Sequence, residues 1–187
     1  TLGLTILGVL PRMGDGVAAQ GPTYGRRRRR RAGPQPATNP DLTVHHFPQS
    51  SFAECCRTIR TNLTFMTADM PMRSMLVTSP QPQEGKTTVT LSIAISLAQS
   101  GKRVLVIDTD LRRPRVHRAL GLANGTGVTS VLVGAASFKE AVITTEVPGL
   151  SLLVSGPVPP NPAELLHTSQ FQRLLQDGHQ WGVNIQY

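Results

Sequence analysis

Four consecutive residues, Gly85, Lys86, Thr87 and Thr88, have the types and spacing that bind phosphate. They close the segment Ser79-Pro-Gln-Pro-Gln-Glu-Gly85-Lys86-Thr87-Thr88, which follows a predicted strand and opens a predicted helix. In such a P-loop, backbone N–H groups at the helix start point at the phosphates, the lysine supplies positive charge and the threonine hydroxyl binds Mg²⁺. The predicted nucleotide ligands are Gln83, Glu84, Gly85, Lys86, Thr87 and Thr88.

One position departs from the general P-loop pattern. That pattern has a glycine six residues before the lysine, where this sequence has Pro80. The short run Gly-Lys-Thr-Thr also occurs by chance, so a lysine in an exposed loop is the alternative interpretation. The strand–loop–helix context favours phosphate binding.

A second pair of candidate residues, Asp108 and Asp110, follows the apolar run 104–107 and lies 22 and 24 residues after Lys86. Ligands of open α/β sheets gather at the carboxyl ends of strands, and Asp-x-Asp spacing on a strand points both side chains the same way. These carboxylates could hold the water ligands of Mg²⁺ and accept a proton from an attacking hydroxyl. Solvated acids in a turn are the alternative, which the nearby P-loop disfavours.

The elements that must position these residues read as an α/β fold. A predicted helix over 51–66 begins with a capping box of Ser51 and Glu54, and its apolar stripe is Phe52, Cys56, Ile59, Leu63 and Met66. Strands are predicted over 74–78, 103–107 and 150–154, and further helices over 87–100, 115–120, 127–133, 137–142 and 168–176, with one more starting at Pro162. Alternating strands and helices predict a mostly parallel sheet flanked by helices.

Composition excludes several classes of protein. The 187 residues carry a formal net charge of +8, but six of the arginines are the run Arg26–Arg31, so the rest of the chain is nearly balanced and no specific nucleic-acid partner is expected. Adjacent Cys55 and Cys56 make no disulfide framework or metal-ligand pattern and fit a reducing compartment. No apolar stretch approaches the ~20 residues that span a bilayer.

The chain divides into four predicted regions. Residues 1–12 read as a short strand ending at Pro11, and residues 13–48, rich in Gly, Pro and Arg, read as a flexible linker. Residues 49–178 form the predicted folded domain, and residues 179–187 are a tail without a readable signal. Because residue 1 is Thr, we expect the chain to begin inside a longer product.

The motifs together resemble the bacterial tyrosine kinases, P-loop kinases coupled to polysaccharide co-polymerases. Glu-Gly-Lys-Thr-Thr is similar to the family's Walker A motif, and Val-Ile-Asp108-Thr-Asp110-Leu-Arg-Arg-Pro is similar to its second signature. Glu54-Cys-Cys-Arg57-Thr-Ile-Arg60 resembles its E-x-x-R-x-x-R helix. Segments 127–134 and 156–166 also match. The family's fold is a P-loop NTPase fold related to MinD and ParA.

This resemblance implies ATP-dependent tyrosine phosphorylation with Mg²⁺ in capsule or exopolysaccharide synthesis. Lys86, Asp108 and Asp110 would be catalytic, with Asp108 as the base and with Thr87 and Asp110 holding the metal, the latter through water. Self-association would use Glu54, Arg57 and Arg60. The start of the chain resembles the stretch after a transmembrane helix, which implies a location on the cytoplasmic face of the bacterial inner membrane, next to a co-polymerase segment.

Two departures from the family pattern leave alternatives open. The family has a strand ending in Asp after the helix at 168–176, and a tyrosine cluster; here no such Asp follows, and Tyr24 and Tyr187 are the tyrosines. We therefore expect a sheet that is incomplete at its C-terminal end. A weakly binding oligomerisation module is the second hypothesis. A ParA-like positioning ATPase is the third, although residues 80–84 lack the second lysine of those proteins.

The arginine run has two interpretations of equal weight. Because the chain start resembles a juxtamembrane stretch, Arg26–Arg31 can contact anionic lipid head groups, each basic residue contributing on the order of 1 kcal/mol. The alternative is a solvated linker.

Overall fold

The computed structural model describes residues 5–11, 39–67 and 72–186. Within them, five strands form one sheet in the order β1-β5-β2-β4-β3. The neighbours pair in parallel except for β3, which is antiparallel to β4. The strands are β1 Ser74–Leu76, β2 Val104–Ile107, β3 Ile143–Thr144, β4 Leu150–Leu153 and β5 Val183–Gln186. The predicted α/β fold with a mostly parallel sheet is confirmed.

Helices cover both faces of this sheet, as a parallel sheet requires. On β2, Val104 and Val106 face the layer that contains α2 and α3, whereas Leu105 and Ile107 face the layer of α5, α6 and α8. The helices are a 3₁₀ turn Pro40–Leu42, α1 Thr43–His46, α2 Ser51–Met66, α3 Lys86–Gln99, α4 Val116–Ala119, α5 Val128–Leu132, α6 Phe138–Ala141, α7 Pro162–Leu166 and α8 Ser169–Trp181. None of these described helices is long and apolar enough to cross a membrane.

Helix α2 lies where the apolar spacing predicts it, with two differences in detail. Its N-cap is Ser50, whose hydroxyl accepts a hydrogen bond from the Ala53 N–H at 3.2 Å, so the predicted capping box at Ser51 is wrong by one residue. The predicted stripe is buried except for Met66, which is 60% exposed at the last turn. The helix packs against α3 and thereby braces the helix that follows the P-loop.

The folded domain starts earlier than predicted. Leu42 and Val44 are buried in the core, so residues 40–46 belong to the domain and not to the predicted linker. The described residues 5–11 form no strand, contrary to prediction; Leu7 and Leu10 pack against the core, and the Asn62 side-chain amide donates to the Leu7 carbonyl at 2.7 Å. Residues 13–38 of the predicted linker, with Arg26–Arg31, lie outside the described residues.

The predicted tail contains a strand of the sheet. Helix α8 extends to Trp181, and β5 then inserts between β1 and β2, which corrects the expectation that the sheet lacks this strand. The turn into β5 requires glycine at position 182. Any other residue would place its Cβ atom 2.4 Å from the carbonyl oxygen of Arg103, which is a steric clash. The carboxyl ends of β1, β5 and β2 consequently meet at one edge of the sheet.

Candidate active site

The P-loop runs from the end of β1 to the first residue of α3. Gly85 is the N-cap of α3 in the left-handed conformation, with φ of 87°, which glycine adopts without steric cost. Gln83 also has a positive φ of 67°, and the Glu84 carboxylate accepts a hydrogen bond from the Gln81 N–H at 3.2 Å. The local turn therefore brings the loop to the amino end of α3, where backbone N–H groups lack helical partners.

A pocket of about 190 Å³ lies at this helix start and joins the loops that follow β1 and β2. Within it, the Lys86 Nζ is 3.9 Å from Asp110 Oδ2, and each side chain is 27% exposed. Two residues that are 24 positions apart thus meet across the predicted edge of the sheet. The pocket is lined by Pro82, Gln83, Gly85, Lys86, Thr87, Asp110, Arg113 and Arg115.

Asp108 lies beneath the pocket and does not line it. Its side chain is 0% exposed, and its two oxygens accept backbone hydrogen bonds from Asp110 at 3.2 Å and Val116 at 3.3 Å. Burial raises the pKa of Asp108 to about 7, although the backbone hydrogen bonds oppose that shift. Because β2 ends at Ile107, strand alternation does not reach the two acids, and the prediction that they share one face is wrong.

The side chains of two other predicted ligands point elsewhere. The Thr88 hydroxyl donates to Asp41 Oδ1 at 2.5 Å. The exposed Glu84 carboxylate accepts a hydrogen bond from a backbone N–H of its own loop. Nucleotide contact by either residue stays a prediction that rests on the backbone N–H groups of the loop and helix start. Thr87 is buried at 2% exposure and does line the pocket.

Asp41 is a residue of this site that the sequence analysis missed. It is 3% exposed, and besides Thr88 it contacts the Arg115 guanidinium, with Nη2 at 3.5 Å from Oδ2. One carboxylate therefore joins the first turn of α3 to the loop after β2. A local sequence signal for a turn before Asp41 existed, because Asn39-Pro40 is a turn sequence. In the structure, Asn39 Oδ1 accepts a hydrogen bond from the Asp41 N–H at 3.0 Å.

The three charged residues predicted to mediate self-association have different partners in the structure. Glu54 and Arg57 pair with each other on the surface of α2, with Nη2 at 2.5 Å from Oε1, which lowers the pKa of Glu54. Arg60 instead donates to the Ser96 carbonyl of α3 at 2.8 Å. The structure thus gives Arg60 a partner inside the fold, and self-association through these residues stays a prediction.

The middle strand of this edge ends in an amide. In the register of the sheet, Gln186 of β5 lies between Leu76 of β1 and Ile107 of β2. The family pattern has a strand ending in Asp after the last predicted helix. Here the described part of β5 brings no carboxylate to the edge.

Comparisons with known proteins identify the family. The sequence matches the AAA_31 family, an AAA domain, over residues 83–177. The tyrosine-protein kinase YwqD of Bacillus subtilis (strain 168) is 47% identical over 130 residues, which are 70% of this chain and 55% of YwqD. The solved structure of the chimerical protein CapA2B2 is 30% identical, with a TM-score of 0.80 over 99% of this chain and 70% of its own. The chain belongs to the bacterial tyrosine kinase family.

A second solved structure agrees with this membership. The kinase domain of the Escherichia coli tyrosine kinase Etk is 29% identical and has a TM-score of 0.79 over 98% of this chain and 69% of its own. The resemblance drawn from the motifs is therefore confirmed, as is the P-loop NTPase fold. The chain spans 55% of the length of YwqD, so it corresponds to about half of that kinase.

Proposed function

We propose that this chain is the nucleotide-binding part of a protein-tyrosine kinase that uses ATP and Mg²⁺. The observation that carries the proposal is the meeting of Lys86 and Asp110 in a pocket at the start of α3, 3.9 Å apart. A cation and a carboxylate at a helix amino end are the groups that phosphoryl transfer uses, since its catalysis rests on positioning and charge neutralisation.

Each pocket residue has a proposed part in this function. Lys86 neutralises the transferring phosphate, and Arg113 and Arg115, which line the same pocket, add positive charge beside it. The Thr87 hydroxyl and the Asp110 carboxylate are hard oxygen donors, which suit Mg²⁺, and we expect Asp110 to act through a water molecule. When bound, the metal supplies charge neutralisation at the phosphate oxygens.

Asp108 is the proposed proton acceptor for the tyrosine hydroxyl, a role implied by the family. A pKa of about 7 suits a general base at neutral pH. In this conformation both of its oxygens are held by backbone N–H groups. Because the Asp108 side chain is 0% exposed, the role requires the loop after β2 to open, and until then Asp108 acts by positioning Asp110 and the backbone of Val116.

The wider setting is also a proposal. We infer a role in capsule or exopolysaccharide synthesis at the cytoplasmic face of the inner membrane, with tyrosine-bearing proteins as substrates and a transmembrane co-polymerase segment as partner. Self-association would use the exposed pair of Glu54 and Arg57, with Arg60 behind it. The run Arg26–Arg31 would meet anionic lipids.

Mg²⁺-dependent ATP binding by this 187-residue chain tests the proposal. We expect saturable binding that Lys86→Met abolishes, because the substitution removes the ammonium group carried by the first residue of α3. Lys102→Met is the matched control, since Lys102 is an exposed lysine outside the pocket. Equal binding by the wild type and Lys86→Met would overturn the P-loop assignment.

Phosphorylation of a tyrosine peptide then separates two functions. A second candidate is a nucleotide-binding and oligomerisation module without efficient transfer, since the described residues of β5, Val183–Gln186, include no carboxylate. ATP binding together with peptide phosphorylation supports the kinase. ATP binding without phosphorylation supports the module.

A further inference from the structure

A second cavity, which we call the basic groove, adjoins the phosphate pocket. It has a volume of about 480 Å³, within the range of roughly 300–1,000 Å³ that ligand sites occupy. Arg113 and Arg115 line both cavities, so the two cavities are neighbours that share these side chains. The charged and titratable residues of the basic groove are Arg112, Arg113, Arg115, His117 and Arg118.

Most of the positive charge of the basic groove is not neutralised within the described part of the chain. Arg115 reaches Asp41 at 3.5 Å, whereas the guanidinium groups of Arg112, Arg113 and Arg118 form no ion pair with any described residue. No described Asp or Glu lines the groove. Four exposed arginines within seven residues, three of them without an ion pair to a described residue, give this surface a concentrated positive charge that attracts a negative ligand.

His117 gives a second, independent sign of a ligand. The side chain lines the groove at 9% exposure, and its Nδ1 atom has no hydrogen-bond partner among the described residues. Burial, with the nearby Arg118, lowers the pKa of His117, so the ring is neutral at pH 7. A buried polar nitrogen without a partner costs free energy, which a ligand group would recover if the His117 ring rotated its Nδ1 atom into the groove.

We propose that the basic groove binds the acidic flank of the peptide that carries the acceptor tyrosine. The inference rests on the proposed kinase function, because the groove lies beside the phosphate pocket and shares Arg113 and Arg115 with it. Glutamate or aspartate side chains a few residues from the tyrosine would meet the guanidinium groups, and a peptide N–H or carbonyl would meet His117. Arginine is suited to this task since its planar fork binds carboxylates in two places.

Peptide binding without nucleotide tests the groove separately from the kinase activity. Fluorescence anisotropy would compare three labelled peptides: tyrosine flanked by four glutamates, tyrosine flanked by four glutamines, and phosphotyrosine flanked by glutamines. The variant is Arg112→Gln/Arg118→Gln. Its matched control, Arg103→Gln/Arg173→Gln, removes the same charge from exposed arginines outside both cavities.

We expect the glutamate peptide to bind at least ten-fold more tightly than the glutamine peptide. The groove variant should lose at least five-fold of that affinity, the control variant should keep it, and Mg²⁺-dependent ATP affinity should be the same in both. If the wild type did not bind ATP, that result would count against the kinase proposal but not against the groove proposal, because the peptide assay contains no nucleotide.

Three results would overturn the inference. The first is equal affinity for the glutamate and glutamine peptides. The second is an equal loss in the groove and control variants, which would indicate unspecific attraction by net charge. The third is arginine-dependent binding of the phosphotyrosine peptide without binding of the glutamate peptide, which would identify the groove as a phosphate site.

A further variant, His117→Phe, should weaken the binding of the glutamate peptide while the thermal stability of the protein is retained.

Discussion

The charged residues at the carboxyl edge of the sheet and those on the outer surface of α2 are held in different ways. Asp41 joins two segments that are 47 and 74 residues away along the chain, and Asp108 is fully buried under backbone N–H groups. Glu54 and Arg57, by contrast, hold each other three residues apart on an exposed helix surface. Arg60 is intermediate, because it leaves that surface to reach α3.

This difference indicates where electrostatics determines stability and where it is available for binding. A buried carboxylate has lost its water, so its protonation state and partners strongly affect the folded state. An exposed pair remains solvated and screened by salt, so it contributes little to folding. We therefore expect the effect of a substitution on the free energy of unfolding to decrease in the order Asp108, Asp41, Arg60 and Glu54.

The largest effect should be the pH dependence that Asp108 imposes on stability. Its pKa is about 7 in the folded protein against 3.8 for the ordinary group, so the folded state retains a proton that the unfolded state releases. Stability should fall as pH rises through this window, by roughly 2 kcal/mol between about pH 5 and pH 7. Urea unfolding of the wild type and Asp108→Asn in EDTA measures it. Asp108→Asn should lack this decline, and parallel pH profiles would contradict the assigned burial effect.

The next effect should come from Asp41. Asp41→Ala leaves the Thr88 hydroxyl and the Arg115 guanidinium without this acceptor, so the free energy of unfolding should fall by about 2 kcal/mol. Exposed Asp177 offers a control, and Asp177→Ala should change stability far less. In a double-mutant cycle, Thr88→Val should cost less in the Asp41→Ala background than in the wild type. Additive effects would contradict the contact.

Asp41 also illustrates what the sequence could and could not predict. The helix and strand order from α2 to α8, apart from the two-residue strand β3, and the pairing of the P-loop with Asp110 follow from periodicity and motif spacing, which are local signals. Asp41 and β5 depend on contacts between distant segments. Val183–Gln186 is short and alternates with polar residues, so it reads as a tail until β1 and β2 provide hydrogen bonds on both sides.

The two acids of the Asp-x-Asp signature show the same limit within a single motif. The spacing of Asp108 and Asp110 would place both side chains on one face if the strand continued through them. However, β2 ends at Ile107, just before Asp108, and the chain then turns. Asp108 is therefore buried, whereas Asp110 lines the pocket. The turn is fixed by the backbone N–H groups of Asp110 and Val116, which satisfy the buried carboxylate. Such a choice depends on burial, which the spacing of residues does not encode.

A smaller effect should distinguish Arg60 from Arg57 on the same helix. Arg60 donates to the Ser96 carbonyl in the last turn of α3, where helix carbonyls lack partners and positive charge is favoured. Arg60→Met keeps the aliphatic stem and should lower the free energy of unfolding by about 1 kcal/mol. Arg57→Met is the matched control and should have a smaller effect. Equal losses, measured by urea unfolding, would contradict the special role of Arg60.

The smallest effect should be that of Glu54→Gln. Because Glu54 is solvent-exposed and pairs within its own helix turn, the substitution should leave the urea midpoint unchanged within error at physiological salt. Sedimentation velocity on the same samples measures whether self-association changes. An altered association state with unchanged stability would indicate that the exposed pair serves a partner subunit. A loss of stability as large as that of Arg60→Met would contradict the assignment of Glu54 to a solvated pair that contributes little to folding.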